Sequence, residues 1–243
     1  MNTSKKSALV AALVVATMSV AQAAELGLSP DWSNGTSGNS ALVVSSNSDN
    51  LAYRSLDAVF SGNEVFLSVN MALSPSSSFA ANDFVSLWLD NALTGAHTSV
   101  PNFGIKADLS GTNDVFARST GTSGSAVSGS NLVAGQSFTL LARVYKSTAA
   151  GNYDGIQLWF NPTASDSLAS ADASFSGNSG ISSFSAIGLR TANLDAGDSV
   201  SVSNLKVGTA FADVSPVPEP STTAMLLAGL GMMGFIARRR LSV

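Results

Sequence analysis

The sequence predicts an all-β fold, an antiparallel β-sandwich, preceded by an N-terminal signal helix and followed by a single C-terminal transmembrane helix. Three observations carry that expectation. Apolar and polar residues alternate at a period of two along much of the interior. Clusters of Gly, Asn, Asp and Ser interrupt the alternation at short intervals. The long apolar runs lie at the two ends, Ala8 to Val20 and Ala224 to Ala237.

The first element reads as a leader. Lys5 and Lys6 form a positive start, the apolar run follows, and Ala21-Gln22-Ala23 offers the small-x-small pattern that a signal peptidase accepts. Cleavage after Ala23 removes residues 1–23 and leaves 24–214 as one β-sandwich domain.

The strands follow in order. Val65, Leu67, Val69 and Met71 alternate with Phe66, Ser68 and Asn70, so one face is apolar. Phe84 to Leu89 (FVSLWL) is apolar on both faces, as in a central strand covered on both sides. Alternation returns at Phe103, Ile105, Ala107 and Leu109, at Phe138, Leu140, Ala142 and Val144, and at Ile156, Leu158 and Phe160. Phe184 to Leu189 and Val200 to Val207 complete the set. Turn-formers separate them at Ser61-Gly62-Asn63, Gly111 to Asp114, Gly151 to Gly155 and Asp195 to Asp198. Ser119 to Ser130, rich in Ser and Gly, reads as an exposed hairpin or a flexible excursion, and Leu168 to Ala173 as a short turn of helix.

Residues 215–243 form a tail of three parts. Val217-Pro218-Glu219-Pro220-Ser221-Thr222 comes first, then the apolar run, then Arg238, Arg239 and Arg240. Each proline pushes the residue before it out of the helical region, so Val217 and Glu219 are extended and easily gripped. Ser221 to Ala237 spans about 26 Å as a helix, near the lower limit for a hydrocarbon core of about 30 Å. The arginines then serve as a cytoplasmic stop under the positive-inside rule. Motif, span and arginine cluster together resemble the PEP-CTERM sorting domain. The resemblance implies processing by an exosortase, an integral-membrane enzyme of Gram-negative bacteria that make exopolysaccharide.

The body carries a second resemblance. Phe84 to Asp90, Asn102 to Lys106, Phe138 to Tyr145 and Ser201 to Thr209, with Val207-Gly208-Thr209-Ala210-Phe211-Ala212-Asp213-Val214 closing the domain, are similar to the concanavalin A-like (LamG-type) jelly roll. That family implies two antiparallel sheets and a concave face used for glycan or protein binding.

Composition narrows the function. From residue 24 to 220 the chain has 16 acidic residues and seven basic ones, a net charge of −9 (7 − 16). This argues against nucleic acid, whose binding rests on Lys and Arg neutralising phosphate. The chain has no cysteine, which removes thiol nucleophiles, thiolate metal sites and disulfides.

Groups with catalytic chemistry are sparse. His97 is the single histidine and reads as a solvated loop side chain. After leader cleavage the glutamates are Glu25, Glu64 and Glu219, none with an acidic neighbour at the spacing that glycoside hydrolysis needs. No catalytic residue is assigned. Hard oxygen ligands occur in Asn47 to Asn50, Asp90-Asn91 and Asn193 to Asp198, with Asp195 and Asp198 the candidate calcium ligands and ordinary Asx turns the competing reading. No other cofactor is expected. Trp159 is the candidate sugar platform, with simple packing as the alternative, whereas Trp88 reads as core.

The sequence thus predicts an exported surface or matrix protein of a Gram-negative bacterium, held transiently in the membrane by its C-terminal helix. Its partners would be signal peptidase, an exosortase-like enzyme and exopolysaccharide or partner proteins, bound without catalysis. The alternatives are a glycan-active hydrolase or lyase of the same fold, and a passive structural matrix protein.

Overall fold

The computed structural model describes residues 26–216 apart from 39, 78, 81, 111–112 and 122–123. The signal segment with Ala21 and Ala23, the motif Val217 to Thr222, the apolar span and Arg238 to Arg240 lie outside the described residues. Among the described residues no helix is long and apolar enough to cross a membrane.

A strand that is apolar at every second position has one face to bury, and two such sheets bury each other's. Two six-stranded antiparallel sheets do so here. The first runs β1 (Leu42–Val44), β12 (Val200–Gly208), β3 (Glu64–Leu73), β8 (Ser137–Tyr145), β9 (Gly155–Phe160) and β10 (Ala173–Ser176). The second runs β2 (Ser48–Phe60), β11 (Phe184–Ala192), β4 (Phe84–Asp90), β5 (Asn102–Ser110), β6 (Asn113–Arg118) and β7 (Ser125–Ala126). The chain crosses repeatedly between them, giving a jelly-roll sandwich.

The inner faces are those the alternation marks. Leu67, Val69, Leu140, Leu158 and Val202 from the first sheet meet Val85, Leu87, Phe103, Ile105, Ile187 and Leu189 from the second, all wholly buried. Burying one such side chain contributes about 1.5–3 kcal/mol relative to leaving it in water. A continuous core of this kind holds the sandwich without disulfides.

Two local expectations are corrected, and a third is resolved in favour of one of its two readings. Asn113 and Asp114, read as a turn, begin β6, because Asp114 turns its carboxylate to the backbone N–H groups of Asp108 and Leu132. Leu168 to Ala173 is not helical: Asp166 organises tight turns by accepting from Thr163 N–H and Ser170 hydroxyl, and Ala173 already belongs to β10. The Gly/Ser-rich stretch is a hairpin, with β7 pairing Ala126 to Phe116 and Ser125 to Ala117.

Behind the first sheet lies a second, smaller core. Phe66, Leu141 and Trp159 face outward from β3, β8 and β9 and are covered by Val214 and Phe211 of a short helix, α1 (Phe211–Val214). Phe211 meets Phe66 and Trp159 edge-on, at 6.1 and 5.1 Å between ring centroids. The last described residues therefore sit on the outer face of the first sheet, and the outer face of the second lies on the opposite side.

Candidate ligand-binding face

Cross-strand register sets the outward residues of β11, β4, β5 and β6 in rows. One row is Gly188, Trp88, Asn102 and Arg118; the next is Arg190, Ser86, Gly104 and Phe116; a third is Ala192, Phe84 and Lys106. Outward positions of a sandwich usually meet water, yet Trp88, Phe116, Ser86, Asn102 and Arg118 are all buried. Something covers each of them.

Over Trp88 the cover is His97. The loop after β4 carries it back with a positive φ of 47°, and its ring lies parallel to the indole, 3.7 Å between centroids and 7° between planes. Its Nδ1 is 2.9 Å from Asp90 Oδ2 and its Nε2 is 2.6 Å from Asn50 Oδ1. Beneath the indole, Gly188 leaves the space, since a Cβ there would stand 2.0 Å from the ring. The expectation of a solvated histidine is therefore corrected: His97 is 7% exposed and locked between two polar partners and a tryptophan. Its place in a turn-like loop of small and polar residues hid this, although the doubly apolar β4 already required a lid.

Further along the face, Arg118 reaches over small Ser86 and Gly104. Its guanidinium carbon lies 4.3 Å from the Phe116 centroid and 5.4 Å from that of Phe84, two rings that stack on each other at 5.4 Å. The Arg190 guanidinium carbon also lies close to Phe84, 5.1 Å from its ring centroid. Together with Lys106, Asn82, Ala192 and Asn193 they line a shallow depression of about 170 Å³. Asn193 closes one wall by donating from Nδ2 to the carbonyl of Asn82, at 3.0 Å.

The charges in this depression are poorly balanced. Arg190 pairs with Asp49 at 2.7 Å. Arg118, only 5% exposed, makes no hydrogen bond or ion pair among the described residues, and its Nε is buried without an acceptor. Burial, reinforced by Arg190, pulls its pKa down to about 10. Trp88 Nε1, Asn102 Oδ1 and Ser119 Oγ are likewise buried without partners. Four of the five such atoms among the described residues thus cluster on this face or just beside it, at Ser119; the fifth is Trp32 Nε1. Buried polar groups are ordinarily satisfied, so each atom of this cluster calls for a partner, ordered water among the candidates.

Other arginines show the contrast. Arg143 is held by Glu64 and Gln157, and Arg54 donates from Nε to the Ser29 carbonyl at 2.7 Å. A larger depression of about 380 Å³ on the outer face of the first sheet is lined by Asn70, Thr139, Asn161, Ser201 and Ser203 and holds no charged group.

The sequence-derived candidates fall as follows. Trp159 is wholly buried in the small outer core, and its Nε1 donates to the Ser167 carbonyl at 3.1 Å, so it offers no exposed face for a sugar. Asp195 and Asp198 do come together, and Asp83 joins them, with carboxylate oxygens within 4.8 Å of one another. Desolvation raises the Asp83 pKa most, the Ala80 N–H opposes this, and Asp198 and Asp195 add to the rise. Asn47, Asp49, Asn50 and Asp90 are engaged with Leu194, Arg190 and His97 instead. Reading the sequence missed Lys106, Arg118 and Arg190 as a group, because only strand register brings them together.

Residues 216–240 match the family described as the PEP-CTERM protein-sorting motif. No curated protein matches the chain. Among solved structures, an alginate lyase, Aly36B, in complex with alginate trisaccharide is 11% identical, with 70% of this chain and 82% of that one covered and a TM-score of 0.47. The carbohydrate-binding module CBM66 from Bacillus subtilis is 10% identical over 70% and 92% of the two chains, with a TM-score of 0.39. A Lotus tetragonolobus seed lectin is 8% identical over 76% and 94%, with a TM-score of 0.42. The chain is a jelly-roll sandwich that ends in a PEP-CTERM protein-sorting motif.

Proposed function

We propose that this is an exported protein of a Gram-negative bacterium, sorted to the cell surface or extracellular matrix by an exosortase-type enzyme, whose concanavalin A-like sandwich binds extracellular glycan without catalysis. The sorting motif supports the address. The observation that carries the binding role is the arrangement of the two outer faces. Helix α1 seats the chain end on the first sheet, whereas the partner-poor polar groups and the cationic depression lie on the second. A molecule held from its tail would keep that second face free.

The surroundings of the acidic and basic groups favour binding over catalysis. The single histidine is capped on both nitrogens and on one ring face. Glu64 is paired with Arg143 on the other sheet. Among the described residues no carboxylate lines the cationic depression. Calcium is a proposed occupant of Asp83, Asp195 and Asp198, whose carboxylates the fold gathers, with the turn that Asp198 closes on the Asp195 N–H as the alternative role.

Two measurements test the reading. Mass spectrometry of the mature C-terminus in cells with and without an exosortase should show loss of Arg238 to Arg240 only when the enzyme is present. Purified protein should retain polysaccharide saturably without shortening it. An intact tail in exosortase-containing cells would refute the sorting, and released oligosaccharide would refute the absence of catalysis.

A further inference from the structure

We propose that the Arg118 depression receives a carboxylate carried by a sugar, so that the ligand of this face is an acidic, uronate-type oligosaccharide rather than a neutral one. This deepens the reading of the second sheet as a glycan-binding face and rests on it.

Among the described residues the charge of Arg118 has no counterpart. A guanidinium removed from water is strongly disfavoured unless an anion or acceptors replace its hydration. Arg118 is more than nine-tenths buried, and none of the described residues accepts a hydrogen bond from it. The phenyl rings of Phe116 and Phe84 fix its position by cation–π contact, which supplies no acceptor for its in-plane N–H donors. Lys106 lines the same depression and also lacks a hydrogen bond or ion pair among the described residues. Arg190 is the third cation, and its one carboxylate, Asp49, is half exposed. Three cations against one acid leave a local excess of positive charge in a body whose sequence carries −9 overall. A carboxylate fits the planar donor fork of arginine in a way that a hydroxyl does not.

The form of the site favours a sugar over an acidic peptide. The depression lies over β11, β4, β5 and β6, inner strands whose neighbours on both sides are already paired, so no edge is free to accept an added strand. Its volume, about 170 Å³, suits one small charged group and not an extended side-chain array. Asn82 and Asn193 at its rim place amide groups beside the cations, the complement of a carboxylate flanked by hydroxyls.

The test uses the purified full-length chain and a panel of short oligouronates (galacturonate, glucuronate, mannuronate and guluronate), each beside its methyl ester, with neutral gluco-oligosaccharides and poly-glutamate as further arms. Binding is read by calorimetry. At least one oligouronate should bind, its methyl ester should bind about tenfold or more weakly, and Arg118→Met should weaken the acid form by a similar factor while leaving the ester unchanged. Lys106→Gln, at a half-buried position without hydrogen bonds, provides a second variant, and the melting temperature of each confirms that it is folded. Equal binding of acid and ester, or indifference to both substitutions, would overturn the carboxylate assignment and leave glycan binding standing. Tighter binding of poly-glutamate than of any uronate would overturn the saccharide. Failure of every saccharide, acidic or neutral, would overturn this inference together with the functional reading beneath it.

Discussion

Arg118 and Arg190 share one aromatic ring: their guanidinium carbons lie 5.4 and 5.1 Å from the centroid of Phe84, but only Arg190 has a carboxylate, Asp49, at 2.7 Å. Two like charges over one ring repel each other, and burial of the unpaired one adds to the cost. The arrangement costs the folded state stability.

Replacing Arg118 should therefore stabilise the free protein. Methionine preserves the contact with Phe116 and Phe84 and removes the charge. Arg118→Met should raise the unfolding free energy by about 1–3 kcal/mol in the absence of ligand, read by chemical denaturation. The pH dependence follows from the direction of the shift. The folded-state pKa, about 10, lies below the ordinary value of 12.5, so the penalty is complete below about 10 and fades above it. The gain should be level from neutral pH to the folded pKa. A loss of stability at neutral pH would show that Arg118 is satisfied.

The stack on Trp88 should be equally sensitive. His97→Ala removes the partner of both Asp90 and Asn50 and uncovers an indole that is now wholly buried. The expected cost is about 2–3 kcal/mol, with a red shift in tryptophan emission. Gly188→Ala attacks the same ring from below. Its Cβ would collide with Trp88, and overpacking there should cost about 1–3 kcal/mol. Unchanged emission in both variants would contradict the sandwiched geometry.

These residues also show what a sequence can and cannot convey. Strands β3 and β8 announce themselves because Val65 to Met71 and Phe138 to Val144 alternate cleanly against a single core, and β12 alternates on either side of a bulge, with Val200 and Val202 inward before it and Leu205 and Val207 after it. Strand β2 does not, because its apolar residues fall at irregular spacing and its register with β11 slips twice. The doubly apolar β4 signalled a covered outer face, but not that the cover would be a histidine. Lys106, Arg118 and Arg190 are scattered through the chain, and no local pattern links them. Trp159 went astray for a related reason: alternation gave its direction correctly, but the lid over it comes from α1, beyond the last strand.

The acidic cluster gives a prediction in pH and in calcium. Asp83 is raised above the usual carboxylate range mainly by desolvation, with Asp198 and Asp195 contributing. Its folded-state pKa therefore exceeds its unfolded one, so the proton is held more tightly in the folded protein. The penalty is complete above the folded pKa, and stability recovers as pH falls through that value toward the unfolded one. A cation can do at neutral pH what the proton does in acid. Millimolar calcium should raise the melting temperature of the wild type at neutral pH by several degrees, with a smaller effect at acidic pH. Asp83→Asn should remove most of both responses. A calcium response unaltered by this substitution would place the ion elsewhere.

The last prediction concerns the chain end. Phe211 and Val214 cover Phe66, Leu141 and Trp159, and α1 begins where the Ala210 N–H donates to Asp213 Oδ2 at 2.8 Å. All of these residues precede the sorting motif, so processing within residues 217–240 leaves the cover intact. A protein ending at Pro216 should melt with the same core as the full chain and keep Trp159 buried. One ending at Gly208 should lose about 2–5 kcal/mol and show a red-shifted emission, because an indole and two apolar neighbours would then face water. Phe211→Ala isolates the effect of one ring and should reproduce part of that loss, about 1–3 kcal/mol. Equal stability of the two truncations would mean that α1 adds nothing to the sandwich. The functional consequence would then change as well, because an unseated helix would no longer fix the chain end on the first sheet, and the second face would lose its defined orientation relative to the tail.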